Sequence, residues 1–167
     1  MGVNASMFIR VATAVGVAAA AVACSKPAPQ GAAEQSPAPP PPTAQSSAEA
    51  IKAAVPEITR LIPLTEDNDS NNLLGRPGGY TAAVVLVDPR SSSVCDLAKP
   101  GADCGATVEQ WPDPEAAQKR ADYIKQIRTA TPVLGTEWTI VKDNLVLRVT
   151  GDLTPSIEKA YEAAFKG

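Results

Sequence analysis

From residue 48 onward the apolar positions of the chain fall into periodic runs separated by turn-forming clusters. In 48–62, AEAIKAAVPEITRLI, the residues Ile51, Ala54, Val55, Ile58, Leu61 and Ile62 recur at helical spacing, which predicts a helix kinked or restarted at Pro56. The polar stretch 65–80, TEDNDSNNLLGRPGGY, has the composition of a loop. Residues 80–87, YTAAVVLV, predict a strand ended by Asp88-Pro89. A connection over 90–104 leads to a second strand at 106–111, ATVEQW. Asp113-Pro114 is a helix start, with an N-cap side chain followed by a pre-set φ at the first helical position. That helix should run to about Arg128, with Ala117, Ala121 and Ile124 inward.

Two further strands, 136–142 and 145–150, flank Asp143-Asn144, a two-residue hairpin turn. Thr154-Pro155 starts a last helix, in which Ile157, Ala160, Tyr161, Ala164 and Phe165 form one apolar stripe. The expected order is α-β-β-α-β-β-α. Hairpins joined by helices predict an α+β domain over residues 48–167, with an antiparallel four-stranded sheet and helices packed on one face.

The first 47 residues have no such periodicity. Residues 1–10 carry one basic side chain, Arg10, followed by the short apolar run VATAVGVAAAAVA and then Cys24. This is the layout of a secretory signal, and the run is too short to span a bilayer, which takes about 20 residues. The last four residues, Ala21-Val22-Ala23-Cys24, resemble the lipobox of bacterial lipoproteins, with Ala21 where that family usually has Leu. The resemblance implies cleavage before Cys24 and attachment of lipid to its thiol. The expected location is therefore extracytoplasmic, lipid-anchored to the cell membrane of a bacterium. Two rival patterns are Met1-Gly2 with Ser6, which fits N-myristoylation, and an ordinary cleaved signal that leaves Cys24 free. Residues 25–47, rich in Pro, Ala, Gln and Ser, predict a disordered tether, including the stiff run Pro39–Pro42.

Composition narrows the chemistry. The net charge is −3 with no basic block, so nothing supports nucleic-acid binding. Histidine is absent, which removes His-based triads and imidazole metal ligands. With Cys24 assigned to lipid, Cys95 and Cys104 remain as an even pair and predict a structural disulfide. No cofactor or metal is called for.

Asp67, Asp69 and Asn71 sit in a stretch that fails the EF-hand pattern, because its sixth and twelfth positions are Asn72 and Gly78. Gly75-Arg76-Pro77-Gly78-Gly79-Tyr80 lacks the Gly-Lys-Ser/Thr of a phosphate loop. Its glycines predict turning at positive φ, and Arg76 beside Tyr80 would suit an anion. Asp67, Asp69, Asn71, Arg76 and Tyr80 are thus the candidate binding residues, carried on an irregular loop. Trp111 and Trp138 are read as packing or sheet-edge residues, with a glycan platform as the alternative. Glu109 and Glu137 are further carboxylates, Ser91–Ser93 form a serine cluster, and no spacing assembles any of them into a catalytic motif. The body of the chain is similar to small lipoproteins of high-GC Gram-positive bacteria in NNLLGRPGGY at 71–80, WPDPEAAQKRADYI at 111–124 and LGTEW at 134–138. That resemblance implies a class and no mechanism. The expectation is a non-catalytic binding module for an envelope component or protein partner, the alternatives being a secreted hydrolase using loop carboxylates and a purely structural envelope protein.

Overall fold

A computed structural model describes residues 40–92 and 94–167. The expected signal segment, Cys24, most of the expected tether and Ser93 lie outside the described residues. The described chain is α+β. Its elements are α1 (Ala44–Ala54), β1 (Arg60–Pro63), β2 (Ala82–Val87), β3 (Gly105–Gln110), α2 (Pro114–Ala130), β4 (Glu137–Lys142), β5 (Leu145–Thr150) and α3 (Pro155–Lys166). The sheet is antiparallel throughout, with strand order β1-β2-β3-β5-β4.

Two features correct the sequence reading. First, the sheet has five strands rather than four, because the region read as one long helix divides. A capping box at Thr43 and Ser46 starts α1 at Ala44, inside the stretch whose composition marks it as tether. The helix ends at Ala54, and Pro56, which cannot continue the hydrogen-bond ladder, lies in the turn that follows. The chain then extends as β1, whose Leu61 and Ile62 point to opposite faces of the sheet. β1 is an edge strand, where a terminal Pro63 is tolerated.

Second, the helices occupy both faces. Val84 and Leu86 of β2, Ala106 and Val108 of β3, and Leu145, Leu147 and Val149 of β5 form the core with α1 and α3. The intervening positions, among them Val85 and Val146, face the other way and pack with Ala117 of α2. β3 and β4 run in the same direction with β5 between them, so their connection must cross the sheet, and α2 is that crossover. Full burial of Leu147 contributes about 1.5–3 kcal/mol. Truncating it to Ala would cost about 2–5 kcal/mol, because a cavity is added to the lost transfer energy.

The expected pair Cys95–Cys104 is bonded, with Cα atoms 4.6 Å apart. Closing so short a loop stabilises by about 2.5–3 kcal/mol on the chain-entropy account. The β4–β5 hairpin turns at Asp143, whose φ is 52°. Asn144 ties this turn to the start of α2, its side-chain amide donating to the Trp111 carbonyl at 2.8 Å.

Candidate functional site

Helix α2 begins where the Asp113 side chain accepts from the Ala116 N–H at 2.7 Å, with Pro114 in the first turn. Ala117, Ala121 and Ile124 face the sheet and are buried. The adjacent stripe, Ala116, Arg120, Tyr123 and Ile127, looks along the sheet toward the loop before β2. Between that stripe and Asn71, Leu73 and Gly78 runs a groove of about 870 Å³, with Trp111 and Arg148 also lining it and Leu134 at one end. This volume lies within the range of small-molecule sites. A second groove of about 740 Å³ on the other flank of α2 runs against β4, and its lining includes the polar Gln118, Asp122, Lys125 and Thr139.

The first groove is underlain by a chain of ion pairs. Glu109 of β3 is fully buried. Its carboxylate accepts both Nε and Nη2 of Arg120 at 3.1 Å, Nη1 of Arg148 at 2.9 Å and Nε1 of Trp111 at 3.1 Å. Arg148 also grips Glu137 with Nε at 2.6 Å and Nη2 at 2.9 Å. Glu137 accepts Nη2 of Arg128 at 2.5 Å, and Arg128 Nη1 donates to the Leu134 carbonyl. Burial alone would lower the Arg148 pKa, but its bonds to Glu137 and the nearby Glu109 charge hold it above its ordinary value. Three guanidinium groups thus meet two carboxylates, leaving one positive charge in excess. The three arginines line the groove together with Asp113, Glu115 and Lys119 at the start of α2, whereas Glu109 and Glu137 lie outside its lining.

The loop wall is pinned to this network. Asp69 is buried and accepts the backbone N–H groups of Asn71 at 2.9 Å, Leu73 at 2.7 Å and Leu74 at 2.9 Å, and the Tyr80 hydroxyl. Burial pushes its carboxyl pKa up, but these donors outweigh burial and leave it below the ordinary value. Burial and the hydrogen bond to Asp69 together raise the Tyr80 pKa. The Tyr80 ring meets Trp111 edge to face at 5.8 Å, and Arg120 lies 5.9 Å from the Trp111 ring centroid. The glycines turn the loop as expected, with φ of 70° at Gly75 and 77° at Gly78. Gly79 is required for a different reason, since a Cβ there would sit 1.9 Å from the Leu73 carbonyl oxygen.

Of the five candidate binding residues, one lines the groove directly, namely Asn71. Asp69 and Tyr80 act behind it as the staple of the loop. Arg76 is exposed and turns to Asn72 Oδ1 at 2.6 Å, while the Tyr80 hydroxyl goes to Asp69, so these two do not form a joint anion contact. Asp67 is exposed, and its backbone carbonyl accepts from Lys99 Nζ. Ser91 donates to the Asp103 carbonyl at 2.8 Å. Trp138 packs against the α1–α3 core, whereas Trp111 belongs to the groove. The sequence reading did not single out Arg120, Arg128 or Arg148. Arg148 does leave a signal: it is one cation within the apolar strand LVLRVT, on the same face as Glu109 of the neighbouring strand.

Among the described residues no group of three or more Cys, Asp or Glu comes together as it would to hold a metal ion. No helix among them is long and apolar enough to cross a membrane. No protein-family model matches the chain, and neither a curated protein nor a solved structure matches it.

Proposed function

We propose that this chain is an extracytoplasmic lipoprotein, held at a bacterial cell membrane by lipid on Cys24. Its folded domain is a non-catalytic module that binds an envelope component or protein partner in the groove beside α2. The observation that carries this reading is the groove itself. It joins apolar side chains to arginines whose orientation is fixed from behind by Glu109 and Glu137. Fixed donors lose little freedom on binding, which favours recognition. Of the carboxylates in and behind the groove, Asp113 caps α2, Glu115 pairs with Lys119 at 2.8 Å, and three more are likewise engaged. Asp69 holds its own loop, and Glu109 and Glu137 are each shared between arginines.

Photocrosslinking in native membranes tests the proposal. A photoreactive side chain at Tyr123, which is half-exposed on the groove wall, should yield a discrete adduct. One at Lys159, exposed on α3 at the opposite face of the domain, should not. Equal labelling from both positions would defeat the assignment of the groove.

A further inference from the structure

We propose that the groove beside α2 takes a singly charged anionic amphiphile, a carboxylate head on an aliphatic tail. The head lies against Arg120 and Arg148, and the tail runs along Tyr123, Ile127 and Leu134. This rests on the reading of the groove as the binding site and adds the class of ligand.

Three observations carry it. The three arginines of the lining outnumber by one the two carboxylates that hold them, while the carboxylates that share the lining lie at the start of α2, where Glu115 is paired with Lys119 at 2.8 Å and Asp113 caps the helix; an anionic head is therefore favoured at the arginines, where a cation is repelled. Arg120 gives Glu109 the Nε and Nη2 edge of its fork, so Nη1 points away from that carboxylate and meets no acceptor among the described residues. A guanidinium so placed suits a carboxylate, with which it makes short charge-assisted hydrogen bonds. Finally, five large apolar side chains stand exposed among the described residues. Two of them, Tyr123 and Leu134, line this groove, and a third, Val133, adjoins Leu134 in the chain. Such an apolar rim beside a cationic floor matches an aliphatic tail joined to an anionic head.

The test uses the full chain carrying Cys24→Ser, which keeps acyl chains off the protein, and Trp138→Phe, which leaves Trp111 as the reporter. Dodecanoate, below its micelle-forming concentration, should change Trp111 emission saturably at one ligand per chain. Dodecanol and dodecyltrimethylammonium should each bind about tenfold or more weakly, the loss expected when a charge-assisted contact is removed or opposed. Leu134→Glu, at a half-exposed position where folding tolerates it, should lose dodecanoate binding with an unchanged melting temperature. Equal binding of all three amphiphiles, or of none, overturns the proposal. If dodecanoate fails while the Tyr123 crosslinks persist, this ligand class is wrong and the groove remains the binding site. If both fail, the reading of the groove falls with it.

Discussion

Arg148 and Glu137 face one another diagonally across neighbouring strands and form a two-pronged pair, Nε to Oε1 at 2.6 Å and Nη2 to Oε2 at 2.9 Å. Both side chains are nearly buried, at 11% and 1% exposure. Breaking a buried pair by removing one partner is costly because the other charge is left without compensation. Here Arg148 serves two carboxylates, Glu137 and Glu109. Arg148→Met should therefore lower stability by about 3–5 kcal/mol in urea or guanidinium unfolding. Arg148→Lys, which keeps the charge but not the fork, should fall between the two. A loss below about 1 kcal/mol, as for a surface pair, would mean that the network is not a structural unit.

Acid should weaken the domain through Asp69 and Asp88. Burial opposes ionisation of both. Asp69 is nevertheless held below its ordinary pKa by Tyr80 and backbone donors, and Asp88 by Arg90 and Tyr161. A lowered native pKa means that the added stability is fully present above the unfolded value, about 3.9, and is lost as pH falls through the native value. The urea midpoint should thus fall steeply below about pH 4. Asp69→Asn should start from a lower midpoint and show a shallower acid limb. An acid limb as steep as the original would contradict the role given to Asp69.

Thr107 offers a gain of stability. It is buried on β3, opposite Arg148 in the ladder, and its hydroxyl oxygen meets no hydrogen-bond partner among the described residues. An unpaired buried hydroxyl costs about 1–3 kcal/mol. Thr107→Val keeps the shape and removes the hydroxyl, so it should raise the unfolding midpoint by an amount equivalent to about 1 kcal/mol. A lower midpoint would show that the hydroxyl has a partner in solution, such as a bound water.

The anchor is tested at Cys24. One acyl chain gives marginal membrane binding and two give stable binding, at about 0.8 kcal/mol per buried CH₂. Cys24→Ser should therefore move the protein from the membrane pellet to the soluble or unprocessed fraction. The wild-type N-terminal peptide should begin at Cys24 and carry acyl mass. Retention of a normally processed Cys24→Ser protein in the membrane would exclude this anchor.

The legible parts of the fold were those written in local chemistry. Asp113-Pro114 starts α2 with a side-chain cap, and Pro155 opens α3, although Thr154 makes no side-chain cap bond to the helix and meets the Ser156 hydroxyl instead. The apolar stripe Ile157, Tyr161 and Phe165 meets the sheet where its spacing placed it. β1 was not legible, because Ile58, Leu61 and Ile62 fit a helical period as well as they fit an extended edge, and four residues are too few to separate the two. The face chosen by α2 was also hidden. It follows from β5 pairing between β3 and β4, a long-range choice that no local pattern records.

The same division holds in the site. The loop 67–80 carried its own signals in Asp, Asn and Gly, and Asn71 does reach the groove. Arg120 and Arg148 are 28 residues apart in the numbering and meet only through Glu109. In the sequence each reads as an ordinary charged residue on its own element. Their convergence appears only when β3, β5 and α2 are assembled.

Hydrogen exchange on the protein in native membranes, compared with the purified protein, tests the central claim most directly. The groove account predicts added protection in peptides covering 71–78, 111–128 and 134, and little change in α1 and α3. Protection confined to α1 and α3, or none anywhere in the domain, would contradict the assignment of the groove beside α2 as the binding surface.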